Sequence, residues 1–372
     1  MAIDRTIPFA GFHTRIADRD AAPALVRLIE EGLAPLGVNN VILEFNPGYN
    51  YECFPEYSTG SFGKAEAAML KEACGRAGIR CIPMFQCLSH QSNFSAEPWP
   101  LYKDHPEFLE TPDMPADARW PKFYCHSWCA SNDGVYDYVF PMIDELIGVF
   151  GCDVFHIGMD EVFEIADRNC PRCAGKDPAE LFARTIKILY DHITAKGVEV
   201  MMWGDRMLDA DAMGYQMWEA DKFGMHACFD KIPKDILIND WHYDLHDHGY
   251  PSFDRFQKGG FGYIPATYND IGQAKHLWGY ALENVYSGDK YQWPGRMMGF
   301  LSTQWTPMTP DIAETLLKCI KGGADVGNAA DGSGPDGAGG DINNAVSGNI
   351  QKVGEIVKTM LPAARNMKKV YG

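Results

Sequence analysis

The stretch DPAELFARTIKILYDHITAKGVEVMMW, residues 177–203, indicates the fold because a helix pattern runs almost directly into a strand pattern. Its first part, 177–197, spaces apolar residues as on one face of a helix, and its end, VEVMMW at 198–203, is typical of a buried strand. A second helix pattern, 134–150, reaches the strand pattern DVFHI at 153–157 just as quickly. Together these units predict helices that alternate with the strands of a parallel sheet.

Working outward from this stretch, the chain contains eight strand patterns. They are IPFAGF (7–12), NVILEF (40–45), RCIPMF (80–85), DVFHI (153–157), VEVMMW (198–203), DILIND (235–240), FGYIPA (261–266) and MGFLST (298–303). A third helix pattern lies at 63–78. Eight strands alternating with helices predict a single α/β domain, a (β/α)₈ TIM barrel over residues 1–372. The alternative is an open doubly wound sheet, but no glycine-rich phosphate fingerprint follows the first strand. The Gly/Asp/Asn-rich stretch 327–349 predicts a long flexible loop.

Charge and composition narrow the choice of partner and location. The 33 Lys and Arg residues against 50 Asp and Glu give a formal net charge of −17, which disfavours nucleic acid and anionic membranes as partners. The N-terminus MAIDRTIPFAGF has no apolar core of a signal peptide, and no later run predicts a membrane span. We therefore expect a cytoplasmic protein, and the sequence leaves a homodimer open.

The cysteines predict free thiols rather than a disulfide framework. There are 11, an odd and scattered set that suits a reducing compartment. The pair in NCPRC, Cys170 and Cys173, is half of a zinc knuckle that only the distant CHSWC (residues 125–129) could complete. We interpret the pair as two reduced loop cysteines and expect no metal and no cofactor.

In a barrel of this kind the active site lies at the C-terminal ends of the strands, so the residues that follow each strand are candidates. They are His13, Arg15, Glu44, Gln86, His90, Asp160, Glu161, Trp203, Asp205, Trp241, His242, Tyr243, Tyr268, Asp270, Gln304 and Trp305. Tryptophans with a few acids are typical of a sugar site, because the rings cover the C–H face of the sugar and the acids bind its hydroxyls. His156, within its strand, is expected to be buried and hydrogen-bonded instead.

The adjacent acids Asp160 and Glu161 in DVFHIGMDEVF, residues 153–163, suggest glycoside chemistry. Neighbouring residues that leave a strand point in different directions, so the two carboxyl groups can contact different atoms of one ligand. A glycosidase needs a proton donor at the leaving oxygen and a second group that stabilises the anomeric centre. The competing interpretation is that one acid caps a helix while the other pairs with a base.

The segment FHIGMDEVF resembles the His-x-Gly-x-Asp-Glu signature of glycoside hydrolase family 20, the β-N-acetylhexosaminidases, and most of all their short, single-barrel hexosaminidase D type. IPMFQCLSHQSNF, MMWGDRML, ILINDWHYD and GFLSTQWTP resemble other strand segments of that family. The resemblance implies a retaining mechanism in which the 2-acetamido group of the substrate is the nucleophile. Asp160 would orient that group, and Glu161 would be the general acid and base.

The same resemblance implies roles for the other candidates. His90 would support the two acids, and Trp203, Trp241 and Trp305 would wall the sugar and its acetamido group. Tyr268 or Tyr243 would donate its hydroxyl to the acetamido oxygen. Apart from the resemblance, Arg15, Glu44 and Asp205 are candidates for binding hydroxyls, and a surface or helix-capping role is the alternative for Arg15. The implied partner is a glycoside or glycan that contains N-acetylhexosamine.

One departure concerns sugar preference. Larger family members carry Trp-x-Glu after the last strand, whereas Pro307 stands at the place of that glutamate here. The hexosaminidase D type lacks the acid too and tends to accept the galacto sugar, so the resemblance favours N-acetylgalactosaminides.

Two other classes of function stay open at this point. One is a metal-dependent sugar isomerase or endonuclease-like barrel that uses His90, Glu44, Asp160 and Glu161 as ligands. The other is a barrel that binds amino sugars without turnover.

Overall fold

Eight parallel strands pair in chain order, and the last pairs with the first, so that the sheet closes into a barrel. The computed structural model describes residues 3–16, 18–92, 95–286, 296–322 and 342–367. The strands are β1 (Phe9–Arg15), β2 (Asn40–Glu44), β3 (Arg80–Cys87), β4 (Val154–Gly158), β5 (Glu199–Trp203), β6 (Leu237–Trp241), β7 (Gly262–Thr267) and β8 (Gly299–Gln304). All eight predicted strands are therefore present, and the (β/α)₈ barrel is confirmed.

Helices follow the strands around the outside of the barrel. Those in the described residues are α1 (Ala21–Arg27), α2 (Lys64–Ala77), α3 (Pro100–Asp104), α4 (Tyr136–Phe150), α5 (Pro178–Thr194), α6 (Ala210–Met213), α7 (Pro251–Gly259), α8 (Ile271–Tyr286), α9 (Pro310–Ile320) and α10 (Ile342–Arg365), with a π-helical segment Leu28–Leu33 after α1. The three predicted helices correspond to α2, α4 and α5.

The sequence of α5 shows how local signals set these elements. Asp177 precedes the helix and its side chain accepts the N–H of Ala179, while Pro178 occupies the first turn, where no N–H is needed. Phe182 and Ile186 belong to its buried face, at helical spacing. The helix is thereby capped at its start and held on the barrel by apolar contacts.

Two apolar layers result from strands that are buried on both faces. Inside the barrel, Ile42, Met84, Met201 and Leu301 belong to one cluster. Between the strands and the helices lies the larger cluster. This double burial explains why the strands appear in the sequence as near-continuous apolar runs.

The loop predicted at 327–349 lies for the most part outside the described residues. Its last part forms the start of α10, which begins at Ile342. Ile342, Val346 and Ile350 recur every four residues, which is helical spacing that the glycine and asparagine content obscures. Separately, none of the described helices is both long and apolar enough to cross a membrane.

Candidate active site

A cavity of about 490 Å³ opens at the C-terminal ends of the strands. Its lining consists of Arg15, Glu44, Asn46, Gln86, His90, Ser92, Trp99, Tyr124, Asp160, Glu161, Trp241, Tyr243, Tyr268, Trp305, Thr306 and Pro307. Ten of the sixteen candidates from the sequence are in this lining, namely Arg15, Glu44, Gln86, His90, Asp160, Glu161, Trp241, Tyr243, Tyr268 and Trp305. The size is ordinary for a small-molecule site.

One histidine, His90, lies within contact distance of both Asp160 and Glu161. Nε2 of His90 lies 3.3 Å from Oδ2 of Asp160 and 3.4 Å from Oε2 of Glu161. Burial alone would lower the pKa of His90, but the Cys125 side chain and the Asp160 carboxylate outweigh burial and raise that pKa well above its usual range. A protonated His90 therefore places one positive charge between two acids.

The turn that carries the two acids requires an unusual backbone. Gly158, Met159 and Glu161 all have positive φ, at 70°, 76° and 48°. A Cβ on Gly158 would lie 2.0 Å from Oε1 of Gln86, so glycine is needed there for space as well as for conformation. Positive φ at the two other positions costs energy, which is typical of functional sites whose surroundings hold the backbone in place.

Asp205 is one of the groups that hold this turn. Its Oδ2 accepts the backbone N–H of Glu161 at 2.9 Å and the Nε–H of Arg206 at 2.6 Å. Arg206 is fully buried and also donates to the backbone carbonyls of Met217 and Trp218. Burial and the charge of the nearby Asp160 raise the pKa of Asp205 to about 6, against the lowering effect of Arg206. Asp205 is itself buried and is not in the described lining of the cavity; its contact with the site is the hydrogen bond from the backbone of Glu161, and the prediction that it binds sugar hydroxyls stays a prediction.

Trp203 is also outside the described lining of the cavity. The side chain is fully buried inside the barrel, with its ring 5.7 Å from that of His13, 4.9 Å from that of His156 and 5.6 Å from that of Trp305. Trp203 belongs to the cluster inside the barrel and not to the described lining of the cavity, so its predicted role as a wall of the sugar site stays a prediction. His156 is buried and accepts the N–H of Gly158, as expected.

The aromatic wall is formed by Trp241, Tyr243, Tyr268 and Trp305. The rings of Trp241 and Tyr243 are 4.9 Å apart, and those of Tyr243 and Tyr268 are 5.7 Å apart. Nε1 of Trp305 donates to the Tyr243 hydroxyl at 2.8 Å. Both tyrosines considered in the sequence thus face the cavity, and their rings form one continuous apolar surface with polar tips.

A third acid of the cavity, Glu44, is fully engaged by basic groups. Its Oε1 lies 3.3 Å from Nε of Arg15, and its Oε2 lies 3.1 Å from Nε2 of His13. Burial would raise the pKa of Glu44, but Arg15 and His13 outweigh it and hold that pKa at about 2. Glu44 is therefore an ionised carboxylate with Arg15 beside it, a pair suited to sugar hydroxyls.

Sequence reasoning missed Asn46, Trp99 and Tyr124. The Tyr124 hydroxyl donates to Oε2 of Glu161 at 2.5 Å, so it contacts the predicted general acid directly. Both Trp99 and Tyr124 come from the long connection between β3 and α4, whose ends are separated by 48 residues of chain from 88 to 135. Connections of that length are unusual and often functional, which is the signal that could have pointed to them.

Comparison with known proteins identifies a family and one curated relative. Residues 48–310 match the model of the glycosyl hydrolase family 20 catalytic domain. A β-hexosaminidase of Porphyromonas gingivalis is 24% identical over 211 residues, which cover 49% of this chain and 26% of that protein.

Solved structures share the fold at low identity. A chitobiase of Flavobacterium johnsoniae has a TM-score of 0.59 at 15% identity, covering 97% of this chain and 53% of that one. An exo-β-N-acetylglucosaminidase of Vibrio harveyi in complex with N-acetylglucosamine has a TM-score of 0.59 at 14% identity, and the match covers 98% of this chain and 57% of that one. The chain thus spans about a quarter of the curated relative and little more than half of these structures. Because the family model matches most of the chain, including every strand from β3 to β8, the chain belongs to glycosyl hydrolase family 20.

Proposed function

We propose that this chain is an exo-acting β-N-acetylhexosaminidase that removes terminal β-linked N-acetylgalactosamine or N-acetylglucosamine with retention of configuration. The observation that carries the proposal is the adjacent pair Asp160 and Glu161, which faces an aromatic-walled cavity and is bridged by His90 at 3.3 and 3.4 Å. Membership of the family supports the same activity.

The site and the resemblance to the family favour the acetamido group of the substrate, rather than an enzyme carboxylate, as the nucleophile. Only three carboxylates belong to the described lining of the cavity: Glu44, Asp160 and Glu161. Both oxygens of Glu44 are occupied by Arg15 and His13, which leaves Asp160 and Glu161. Their oxygens lie within 4.8 Å of each other, which is near the separation of about 5 Å in a retaining enzyme with its own nucleophile, but both acids stand on one turn, and the resemblance to the family gives that turn the orienting and the acid roles.

In the first step the acetamido carbonyl oxygen bonds to the anomeric carbon while the glycosidic C–O bond breaks. Glu161 donates its proton to the leaving oxygen, and Asp160 accepts the acetamido N–H and stabilises the positive oxazolinium ring. In the second step ionised Glu161 takes a proton from water, whose oxygen bonds to the anomeric carbon as the acetamido oxygen leaves. Two displacements at one carbon give net retention, and Glu161 ends protonated as it began.

The cavity also suggests how a sugar would bind. Trp241 and Trp305 would cover the apolar face of the ring, with the Tyr243 or Tyr268 hydroxyl near the acetamido oxygen. The Arg15–Glu44 pair would take ring hydroxyls at the opposite side. Pro307 lines the cavity without offering a hydrogen bond, which supports acceptance of the galacto sugar. Cytoplasmic location and a homodimer stay predictions.

The test is nitrophenol release from the N-acetyl-β-galactosaminide, the N-acetyl-β-glucosaminide and the matching 2-hydroxy glycosides, for wild type, Glu161→Gln and Asp160→Asn. We expect turnover of the 2-acetamido substrates only, lost by about 10²-fold or more in either variant. Equal turnover of the 2-hydroxy glycosides would rule out substrate assistance. Binding of an oxazoline-like inhibitor with no turnover of any substrate would support the non-catalytic alternative.

Ligand atoms of His90, Asp160 and Glu161 lie within 4.8 Å of one another, so the metal content of the variants tests the alternative of a metal-dependent reaction. If these side chains held an essential metal, Glu161→Gln would lose bound metal along with activity. We expect it to lose activity alone.

A further inference from the structure

Four buried side chains that have no part in the proposed chemistry meet beside the active-site loops. They are Glu110, Cys129, Cys170 and Cys173, each exposed by no more than 2%. One ligand atom from each lies within 4.8 Å of all the others. The sequence named CHSWC, residues 125–129, as the only segment that could complete the Cys170–Cys173 pair, which we interpreted as two reduced loop cysteines; the fold brings Cys129 of that segment and Glu110 to the pair.

The distances between the sulfur atoms fit a shared metal ion. Sγ of Cys129 lies 3.6 Å from Sγ of Cys170 and 3.3 Å from Sγ of Cys173. A disulfide would require about 2.05 Å, and all three cysteines are free. Tetrahedral zinc with Zn–S bonds of about 2.3 Å separates its sulfur ligands by roughly 3.8 Å. These two sulfur–sulfur distances are therefore within about 0.5 Å of the tetrahedral value, and the remaining pairs of ligand atoms lie within 4.8 Å.

The carboxylate has one oxygen available for an ion. Oε1 of Glu110 accepts the backbone N–H of Asp167 at 2.8 Å. Its Oε2 is buried, and among the described residues its polar neighbours are the thiols of Cys173 and Cys129, which are weak donors and make no hydrogen bond to it of normal geometry. A buried carboxylate oxygen without a partner is costly, and a cation at the centre of the three thiols would supply one.

Both halves of the cluster are held in place by backbone bonds. Leu109 and Trp128 form an antiparallel bridge, which brings Glu110 and Cys129 side by side. Cys170 and Cys173 stand in consecutive turns with the C-x-x-C spacing of a zinc knuckle. The ligand set is preformed, as expected for a site that binds one ion in a fixed geometry.

We propose that Glu110, Cys129, Cys170 and Cys173 bind a structural Zn²⁺ ion. Four protein ligands leave no open position, so the ion does not take part in catalysis. It joins the β3–α4 connection, which carries His90 and Tyr124, to the β4–α5 connection, which begins with Asp160 and Glu161. The binding site itself is independent of the proposed hydrolase activity.

The primary experiment measures zinc in the protein purified without chelators, by inductively coupled plasma mass spectrometry. We expect about one zinc per chain in wild type, less than about a tenth of that in Cys170→Ser/Cys173→Ser, and an unchanged value in the matched control Cys53→Ser/Cys319→Ser. Glu161→Gln should keep its zinc, which separates this site from a metal held in the cavity. Zinc retained by the Cys170→Ser/Cys173→Ser variant would overturn the proposal.

A measurement on wild type keeps the test valid if that variant does not fold. Apoprotein loaded with Co²⁺ should show the strong near-ultraviolet thiolate-to-cobalt band and the visible bands of a tetrahedral site, and Zn²⁺ should displace them. Removal of the ion should lower the thermal midpoint of unfolding, and Zn²⁺ should restore it. A wild-type protein with neither zinc nor a cobalt–thiolate spectrum would contradict the assignment, whether or not the chain hydrolyses glycosides.

Discussion

The substitution Asp205→Asn distinguishes the role seen in the structure from the role that the sequence suggested. In the structure Oδ2 of Asp205 accepts both the N–H of Glu161 and the Nε–H of the buried Arg206. An asparagine can place its carbonyl oxygen at the same point and keep both hydrogen bonds. The change therefore removes the charge with little change in shape.

The expected size follows from these two bonds. The N–H of Glu161 loses a charged acceptor, which costs about 1 kcal/mol, whereas the bond from Arg206 keeps its charged donor and the raised pKa of Asp205 shows that burial disfavours the charge that is removed, so the free energy of unfolding should fall by no more than about 1 kcal/mol. Glu161 has φ of 48°, and a weaker hold on its N–H lets that turn relax. A displacement of about 1 Å at a reacting group can cost about 10²-fold in rate. We expect kcat for the 2-acetamido substrate to fall by about 10- to 100-fold with KM changed by less than about 3-fold.

The assay combines urea unfolding with steady-state kinetics on the preferred nitrophenyl glycoside. Asp209→Asn is the matched control, because Asp209 caps α6 and asparagine caps a helix equally well. It should leave stability and kcat unchanged. A rise in KM at constant kcat and constant stability in Asp205→Asn would refute the positioning role and place Asp205 in contact with sugar hydroxyls.

Three further predictions concern the site and its surroundings. Tyr124→Phe removes the hydroxyl that donates to Glu161 and should lower kcat by about 10- to 100-fold, since a hydrogen bond to a carboxylate contributes about 1.5–3 kcal/mol; an unchanged kcat would show that the contact is dispensable. Gly158→Ala should lower the free energy of unfolding by at least about 1–2 kcal/mol in urea, because the new methyl group meets Gln86 and φ is positive, and native stability would contradict this. Burial would raise the pKa of Glu219, but two buried histidines outweigh it and hold that pKa at about 2, so its contribution to stability is present above about pH 4.5 and lost as the pH falls towards 2. Glu219→Gln should flatten the fall of the urea midpoint over this range, and an unchanged slope would exclude the ion pairs as its cause.

The fold could be predicted because each strand carries its own signal. Burial on both faces makes β1 to β8 continuous apolar runs, and the count of eight restricts the topology to a barrel. The sequence analysis missed the beginning of α10 because its local signal is weak. Glycine and asparagine separate the apolar residues at 342, 346 and 350, so the composition predicted a loop although the four-residue spacing is that of a helix.

The site was predictable where the side chain leaves directly from a strand end. Asp160, Trp241 and Trp305 stand at or just after the ends of β4, β6 and β8 and line the cavity as expected. Trp203 and Asp205 stand at the end of β5 in the same way, yet both are buried and outside the described lining. The direction of a side chain near a strand end depends on its neighbours in space, and these neighbours come from distant parts of the sequence.

Arg206 illustrates this dependence on distant residues. Its guanidinium donates to the carbonyls of Met217 and Trp218 and also to Oδ2 of Asp205. No local pattern encodes that contact. The rule that active residues follow barrel strands therefore finds the edge of the cavity but cannot separate residues that touch the ligand from those that hold them.

The residues that could not be found by looking at strand ends lie in the long connections between strands and helices. Tyr124 reaches Glu161, and Glu110 and Cys129 reach the Cys170–Cys173 pair, across sequence separations that only the barrel closes. Both contacts join the β3–α4 connection to the β4–α5 connection, the first within the lining of the cavity and the second outside it. A zinc ion at the second contact would fix the relative position of Tyr124 and Glu161 without touching either residue. Loss of the ion should then lower kcat more than it raises KM, because the group displaced is the proton donor rather than the aromatic wall that binds the sugar.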